Sequence, residues 1–211
     1  MSKPISQLSL FLSFTLLSCT VAAEALPGTA APNFQGRDAQ GVQYRLSDYA
    51  GKIVVLEWSS PECPYSRRYY QNGTLDALYE HARKNGIVWI NIVPKLQKLT
   101  PAQVLAQRDA TKNITILDQQ LDISSAYGAT TTPQIFIIDR HGVLSYSGAI
   151  DSTAMLKTTG RKAIPYTRNA LDDLLAGRPV RTSITRAFGC YVKNNTQAMD
   201  GVANIIPTGS R

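Results

Sequence analysis

The sequence predicts an α/β fold in which helices flank a central sheet. Two continuous runs of β-prone apolar residues, 53–58 and 87–93, are separated by a segment that can form a helix. Such runs are typical of strands that are buried on both faces of a parallel sheet. A third observation is a closing hairpin, in which residues 134–138 turn at 139–142 and return as residues 143–147. Alternating strands and helices that end in a hairpin indicate one α/β sandwich.

The remaining elements follow from turn and cap residues. Residues 34–38 and 42–45 form a predicted N-terminal hairpin. Pro64 suits the first position of a helix, and Asn72-Gly73 should interrupt that helix before residues 75–84 continue it. The other predicted elements are a helix from Thr100-Pro101 to about residue 111, a strand over 114–117, a helix over 121–127, and a last helix from Ile164-Pro165 to about residue 176.

The composition is that of an ordinary globular protein. Of the 211 residues, 44% are hydrophobic and 18% are charged, which argues against disorder and against a fibrous repeat. The 22 Lys and Arg exceed the 15 Asp and Glu, so the formal net charge is +7. These basic residues are scattered along the chain and form no long run. They indicate a solvated surface, and we expect no nucleic-acid partner.

The first 23 residues are predicted to be a secretory signal peptide. Lys3 is the one charge before Glu24, and residues 8–17 form an apolar run that small residues follow. A helix of that length spans about 15 Å, which is half of a hydrocarbon core of about 30 Å. We therefore predict export to a periplasm or to the medium, without a transmembrane span. Residues 16–19 also resemble a lipoprotein processing box, which makes Cys19 an alternative lipid anchor.

The rest of the chain divides into a folded domain over residues 24–193 and a C-terminal tail over 194–211, which we expect to be flexible. Removal of the signal peptide leaves two cysteines, Cys63 and Cys190, in an exported chain. Exported compartments permit disulfides. The two cysteines are therefore a structural bridge, a redox couple, or one reactive thiol and one bystander.

Cys63 lies where the strand over residues 53–58 gives way to the helix that Pro64 begins. Unpaired backbone N–H groups and the positive end of the helix dipole favour a thiolate at such a position. We therefore expect a solvent-facing nucleophile with a pKa below the free value of about 8.5. Arg67, four residues on, should share its helical face and add a cation, whereas Glu62 opposes this effect. The alternative interpretation is a buried structural cysteine.

Thr132-Pro133 directly precedes the predicted strand over residues 134–138. Proline cannot donate a ladder hydrogen bond, so it marks a sheet edge or a special backbone position. Bonds to proline are also the ones that adopt the cis form at an appreciable frequency. A cis-proline beside Cys63 would expose backbone groups to a substrate strand.

Several segments together carry a family resemblance, namely VLEWSSPECPYSRRYY, TTPQIFIID, SYSGAID and FGCYVK. They are similar to the thioredoxin-like redoxins, and within them to an exported subgroup of the thioredoxin and alkyl hydroperoxide reductase/thiol-specific antioxidant superfamily. The resemblance covers roughly residues 30–193. It implies a thioredoxin-like fold, with a central mixed β-sheet flanked by helices, an N-terminal hairpin and a C-terminal extension. It also implies that Cys63 is the attacking thiol and Pro133 the cis-proline.

The motif Cys63-Pro64-Tyr65-Ser66 departs from the family, because thioredoxins carry a second cysteine where Ser66 stands. A monothiol can attack a disulfide and hold a mixed disulfide, but release then needs another thiol. Cys190 is the internal candidate, and the roles of resolving thiol, structural bridge and bystander all stay open for it. The site predicted from the sequence consists of Cys63, Cys190, Pro133, Thr132, Ser60, Ser66 and Arg67.

The resemblance implies an exported thiol–disulfide oxidoreductase that acts on protein or small-molecule disulfides and thiols through the single nucleophile Cys63. One alternative is a peroxiredoxin-like thiol peroxidase that acts on peroxides. Ser60 stands three residues before the cysteine, as in that family, but Leu56 replaces the family's proline. Another alternative is a non-catalytic binding protein with the same fold. We expect no cofactor and no metal, since His81 and His141 lack metal-ligand spacing.

Overall fold

The structure, a computed structural model, describes residues 25–96, 98–100, 102–104, 113–153 and 162–192. The predicted signal peptide with Cys19 and the predicted tail over residues 194–211 lie outside these ranges. So does most of the helix predicted after Thr100-Pro101, of which residues 102–104 are helical. None of the helices within the described ranges is long and apolar enough to cross a bilayer.

The described elements alternate between strands and helices, as the sequence predicts. In chain order they are β1 (Gln35–Arg37), β2 (Gln43–Arg45), a 3-10 turn (Leu46–Tyr49), β3 (Val54–Trp58), α1 (Pro64–Gln71), α2 (Thr74–Lys84), β4 (Val88–Pro94), β5 (Ile114–Asp118), α3 (Asp122–Tyr127), β6 (Thr131–Thr132), β7 (Gln134–Ile138), β8 (Leu144–Gly148), α4 (Tyr166–Leu175) and β9 (Cys190–Tyr191).

A five-stranded mixed sheet in the order β5-β4-β3-β7-β8 forms the centre of the fold. β3 pairs in parallel with β4, which pairs in parallel with β5, while β7 runs antiparallel to both β3 and β8. Every residue of β3 and of β7 is buried, which agrees with their apolar sequences. The predicted α/β class with a central mixed sheet is confirmed.

Side chains of the central strands alternate between two apolar clusters, one on each face of the sheet. On one face, Trp58 and Phe136 pack with Tyr127 of α3 and with Phe34. The other face is covered by α1, α2 and α4. Because both faces of the sheet are covered, functional side chains can reach solvent near the ends of the strands.

The helix break predicted at Asn72-Gly73 is present. α1 ends at Gln71, and Gly73 has a φ of 75°, the left-handed conformation that glycine adopts without a steric penalty. α1 is therefore a separate helix of 8 residues whose N-terminus lies directly after β3.

Residues 183–192, which we name the C-terminal strap, cross the end of the sheet after α4. The strap begins at the outer edge of β8, where Ser147 and Ile184 form a parallel bridge. It ends in β9, which pairs antiparallel with β6 so that Thr132 lies opposite Cys190. The sequence did not predict these pairings, because two-residue strands have no hydrophobic periodicity from which to recognise them.

The buried carboxylate of Asp173 fixes the chain where it leaves α4 and approaches the strap. Its side chain is 1% exposed, and it pairs with Arg178 Nη2 at 2.9 Å and with Arg181 Nε at 3.0 Å. The backbone N–H of Arg181 donates a further hydrogen bond to Asp173 Oδ2 at 3.2 Å. The hydrogen bonds from Arg181 and Arg178 lower the pKa of Asp173 from 3.8 to about 2.

This lowered pKa predicts an acid-dependent loss of stability. The contribution of Asp173 is fully present above its unfolded value of 3.8 and is lost as the pH falls towards the folded value of about 2. The free energy of unfolding, measured with urea for the wild type and for Asp173→Asn, should differ at pH 7 and converge between pH 4 and pH 2. A difference that stays constant over this range would contradict the assignment.

Candidate active site

The site is centred on Cys63, the last residue of the loop over residues 59–63 that joins β3 to α1. Cys63 has an extended backbone (φ −89°, ψ 121°) and is the N-cap of α1, with Pro64 as the first helical residue. Its carbonyl accepts the N–H of Arg67 at 3.0 Å, and its own N–H donates to the carbonyl of Ser60 at 3.0 Å. The sulfur is thereby held at the helix N-terminus, as the sequence predicts.

Cys63 is joined to Cys190 by a disulfide that spans 127 residues of sequence, with the Cα atoms 5.9 Å apart. Cys63 is 2% exposed, so the expectation of a solvent-facing thiol is wrong for this state of the protein. The reason is that β9 covers the sulfur and bonds to it. The expectation of a thiolate applies to the reduced protein alone. Since Cys190 is bonded, the roles of resolving thiol and structural bridge fit the structure, and that of bystander does not.

The Thr132–Pro133 peptide is cis and adjoins the disulfide. The carbonyl oxygen of Thr132 lies 3.1 Å from Cys63 Sγ, and Thr132 Oγ1 donates to the carbonyl of Cys190 at 3.5 Å. Pro133 does not mark a sheet edge, because β7 is paired on both sides. It marks a special backbone position, and the backbone groups that we expected to meet a substrate strand are paired with β9.

The two serines of the predicted site brace the loop that carries Cys63. Ser66 is fully buried, and its Oγ accepts the N–H of Ser60 at 3.4 Å. Ser60 Oγ in turn accepts the N–H of Glu62 at 3.2 Å. Arg67 is exposed on α1 and does not line the cavity beside the disulfide. The structure therefore brings together Cys63, Cys190, Thr132, Pro133, Ser60 and Ser66 and leaves Arg67 outside.

A cavity of about 420 Å³ adjoins the disulfide. Its charged lining consists of Lys95 and Lys98, from the segment after β4, and of Glu62. Glu62 Oε1 accepts the backbone N–H groups of Lys98 and Leu99, each at 2.7 Å, so that it fixes this segment beside Cys63. Two cations and one anion therefore line the cavity beside the disulfide. The lysines favour an anionic sulfur, the role that the sequence assigned to Arg67, and Glu62 opposes it. Sequence reasoning missed both lysines because 32 residues or more separate them from Cys63.

Behind the site, Glu57 of β3 is a fully buried carboxylate. Its Oε1 accepts the hydroxyl of Tyr70 at 2.7 Å, and its Oε2 accepts the hydroxyl of Tyr79 at 2.7 Å and the indole N–H of Trp89 at 2.9 Å. The Tyr70 hydroxyl also lies 3.3 Å from Ser59 Oγ, in the loop before Cys63. The network thus connects α1 and α2 to the strand that delivers Cys63. The sequence contains a signal for this network, because Glu57 is a charged residue within an otherwise apolar strand. A buried carboxylate has to be paired, so such a residue predicts hydrogen-bond partners around it.

Comparison with known proteins assigns this arrangement to a family. The AhpC/TSA family model matches residues 27–147, more than half of the chain. The chain belongs to the AhpC/TSA family. The matched region includes Cys63 and the Thr132–Pro133 peptide but neither Cys190 nor the strap.

A curated relative, the thiol-disulfide oxidoreductase ResA of Geobacillus thermodenitrificans (strain NG80-2), is 32% identical over 125 residues. The match covers 54% of this chain and 64% of that protein, less than two thirds of its length.

Solved structures share the fold over most of the chain. An uncharacterized conserved protein from Geobacillus kaustophilus is 23% identical, with a TM-score of 0.71, and the match covers 81% of this chain and 93% of that one. A Chlorobium tepidum protein provisionally named thiol:disulfide interchange protein DsbE is 20% identical, with a TM-score of 0.53, over 72% of this chain and 96% of that one. The predicted thioredoxin-like fold and the family resemblance are confirmed.

The side chains of the described residues offer no group of three His, Cys, Asp or Glu that could hold a metal ion. The chemistry that the site can perform with its own atoms is the making and breaking of the bond between Cys63 and Cys190.

The Glu57 network predicts that the stability of the region behind the site depends on the carboxylate. Glu57→Leu removes the carboxylate acceptor from two buried donors, the Tyr79 hydroxyl and the Trp89 indole N–H, at about 1 to 3 kcal/mol each, so the free energy of unfolding should fall by about 2 kcal/mol or more. Glu57→Gln keeps one acceptor oxygen and should cost less. Urea unfolding with the disulfide intact measures both, and equal costs for the two variants would contradict this account.

Proposed function

We propose that the protein is an exported thiol–disulfide oxidoreductase in which Cys63 is the nucleophile and Cys190 resolves the mixed disulfide. The observation that carries this proposal is the bond between Cys63, at the N-terminus of α1, and Cys190, on a strand beside the cis Thr132–Pro133 peptide. The name of the Geobacillus relative supports the same class of reaction. Protein or small-molecule disulfides and thiols are the proposed substrates.

The proposed cycle begins with the reduced protein. The Cys63 thiolate, favoured by the helix N-terminus and by Lys95 and Lys98, attacks one sulfur of a substrate disulfide. A bond forms between Cys63 and that sulfur, and the other substrate sulfur leaves as a thiolate. Cys190 then attacks Cys63 Sγ, which releases the second substrate sulfur and forms the Cys63–Cys190 disulfide. The substrate has gained two electrons, and an external dithiol or two small thiols must reopen the disulfide before the next turnover.

Two features support assigning the roles in this order. Cys63 is the N-cap of an 8-residue helix, where backbone N–H groups and the dipole lower a thiol pKa. Cys190 lies in an extended two-residue strand, which supplies no such stabilisation. The cysteine with the lower pKa is the better nucleophile near neutral pH, and the other acts once the mixed disulfide has formed.

Export of the protein after removal of residues 1–23 is part of the proposal. The apolar run over residues 8–17 supports it. Both a soluble exported form and a form lipidated at Cys19 are compatible with the proposed chemistry.

The geometry gives no comparable support to the alternatives. For a thiol peroxidase, Ser60 would supply the hydroxyl that binds peroxide, but Leu56 stands where that family has a proline, and Arg67 does not line the cavity beside Cys63. For a non-catalytic binding protein, a substrate groove beside Pro133 would be the binding surface, but β9 occupies that place.

The proposal predicts different losses for the two cysteines in reduction of insulin disulfides with dithiothreitol as reductant. Cys63→Ser should reduce the rate to that of dithiothreitol alone. Cys190→Ser, reduced and then freed of dithiothreitol, should accumulate a mixed disulfide between Cys63 and insulin, which mass spectrometry of the acid-quenched reaction detects. The wild type and both variants carry Cys19→Ser in addition, so that Cys63 and Cys190 are the cysteines whose contributions are compared.

An unchanged rate in Cys63→Ser would refute the assignment of the nucleophile. If Cys190→Ser lowers only the melting temperature and traps no substrate, the bond is structural. Sulfenic acid at Cys63 after substoichiometric peroxide, lost in Ser60→Ala, together with no insulin reduction, would establish the peroxidase instead.

A further inference from the structure

The strap is fixed to the sheet at a second place, through Thr185, five positions before Cys190 in sequence. Thr185 N–H donates to the carbonyl of Ser147 at 3.0 Å, and Ser147 N–H donates to the carbonyl of Ser183 at 2.9 Å. The Thr185 hydroxyl lies 2.6 Å from the hydroxyl of Tyr146 and accepts the N–H of Ala149 at 2.9 Å. Backbone and side chain of one residue therefore attach the strap to the edge of β8.

These hydrogen bonds form a closed ring. The Tyr146 hydroxyl donates its one proton to the carbonyl of Ala149, so the Thr185 hydroxyl must donate to Tyr146, while Ala149 N–H donates to Thr185. Tyr146 is fully buried, and burial raises its pKa, which keeps it a neutral hydroxyl. A buried ring in which every donor and acceptor is paired is stable and specifies one position for Thr185.

Both ends of the strap approach the sheet at a glycine. A Cβ at Gly148 would collide with the backbone and the hydroxyl of Thr185. A Cβ at Gly189, next to Cys190, would collide with the carbonyl of Thr132 and lie 3.1 Å from the nitrogen of Pro133. The disulfide holds the second end covalently, and the Thr185 ring holds the first end without any covalent bond.

We propose that Thr185 is the fixed end of a tether that positions Cys190 as the resolving thiol for Cys63. This inference rests on the proposed function. When the disulfide is reduced, β9 loses its covalent attachment and keeps its two-residue pairing with β6, which a substrate strand has to displace in order to reach the backbone of Thr132. The Thr185 ring contains no sulfur, lies away from this place and persists. Five residues then separate Cys190 from the fixed end, a reach of at most about 17 Å. A thiol on so short a tether has an effective concentration in the millimolar range.

The step that the tether serves is the closing of the disulfide. With Cys63 bonded to a substrate sulfur, the Cys190 thiolate attacks Cys63 Sγ. The Cys63–substrate bond breaks, the Cys63–Cys190 bond forms, and the substrate sulfur leaves as a thiolate that takes a proton from solvent. The rate of this intramolecular step is proportional to the effective concentration of Cys190. Thr185 is thus a positioning residue and touches neither sulfur.

The size of the effect follows from the next fixed point along the chain. If the ring is lost and the strap detaches at Thr185, the nearest upstream attachment is Ser183, whose carbonyl accepts the N–H of Ser147. The free tether then lengthens from five residues to seven. Because the effective concentration falls as about the −3/2 power of the tether length, closing should slow by about 1.5- to 2-fold.

The test follows the reaction of the full-length reduced protein, with Cys19→Ser in all variants, with one equivalent of 5,5′-dithiobis(2-nitrobenzoate). Attack by Cys63 releases the first thionitrobenzoate, and attack by Cys190 on the resulting mixed disulfide releases the second. Stopped-flow absorbance separates the two phases, since the first depends on reagent concentration and the second does not. Cys190→Ser should show the first phase only.

Thr185→Val, which removes the hydroxyl and keeps the shape, should slow the second phase by about 1.5- to 2-fold and leave the first unchanged. Tyr146→Phe removes the bond between the two hydroxyls but leaves Ala149 N–H bonded to Thr185, so it should slow the second phase by the same factor or less. Thr182→Val, at an exposed threonine near the strap, should change neither phase.

A second phase of equal rate in Thr185→Val and Thr182→Val would overturn the inference. So would an equal slowing of both phases in Thr185→Val and Tyr146→Phe, because it would indicate general damage to the fold. The absence of a first phase in the parent protein would instead refute the proposed function itself.

Discussion

The site depends on the contact between the N-terminus of α1 and the backbone of Thr132, whose carbonyl oxygen lies 3.1 Å from Cys63 Sγ. The strap adjoins both, since Cys190 is bonded to Cys63 and paired with Thr132. Cys63, Thr132 and Cys190 are far apart in sequence, and Cys63 and Cys190 are separated by 127 residues. Three different pieces of chain therefore have to arrive at one place. The sheet accomplishes this because β3 and β7 are neighbours, so that the end of β3 and the start of β7 adjoin.

Around this point, buried polar groups hold the parts in register. Glu57 anchors α1 and α2 from behind, Ser66 and Ser60 brace the loop before the helix, and Glu62 fixes the lysine-bearing segment after β4. Each of these groups is paired within the protein, as polar groups must be when they are shielded from water. These hydrogen bonds hold the loop before α1 and the segment after β4 beside the sulfurs.

The strap supplies the second sulfur that the site motif lacks. The family match ends at residue 147, before the strap begins, and the site motif has Ser66 where thioredoxins carry a second cysteine. A second sulfur is nevertheless supplied from the C-terminal side of the domain. A resolving cysteine one helical turn away is positioned by the helix itself, whereas one on a strap needs its own attachment. Thr185 and the Gly148 crossing provide that attachment.

Much of the fold could be predicted from the sequence, because β3, β4 and β7 are apolar runs and α1 and α2 have clear start and stop residues. The position of Cys63 at a helix N-terminus followed from the same local signals, whereas the cis form of the Thr132–Pro133 peptide was implied by the family resemblance. The strap could not be predicted, since its pairings are short and lie between residues remote in sequence. The burial of Cys63 and the two lysines beside it depend on that tertiary arrangement, so local patterns contained no information about them.

The most direct test of this account is the redox titration of the Cys63–Cys190 bond in glutathione buffers. After equilibration, free thiols are blocked with an alkylating reagent, and non-reducing digestion with mass spectrometry measures the fraction of linked peptide. We predict that this fraction falls from near one to near zero in a single two-electron transition while circular dichroism shows the fold unchanged. Free Cys63 and Cys190 in the fully oxidising buffer, or a bond that opens only when the protein unfolds, would contradict the account.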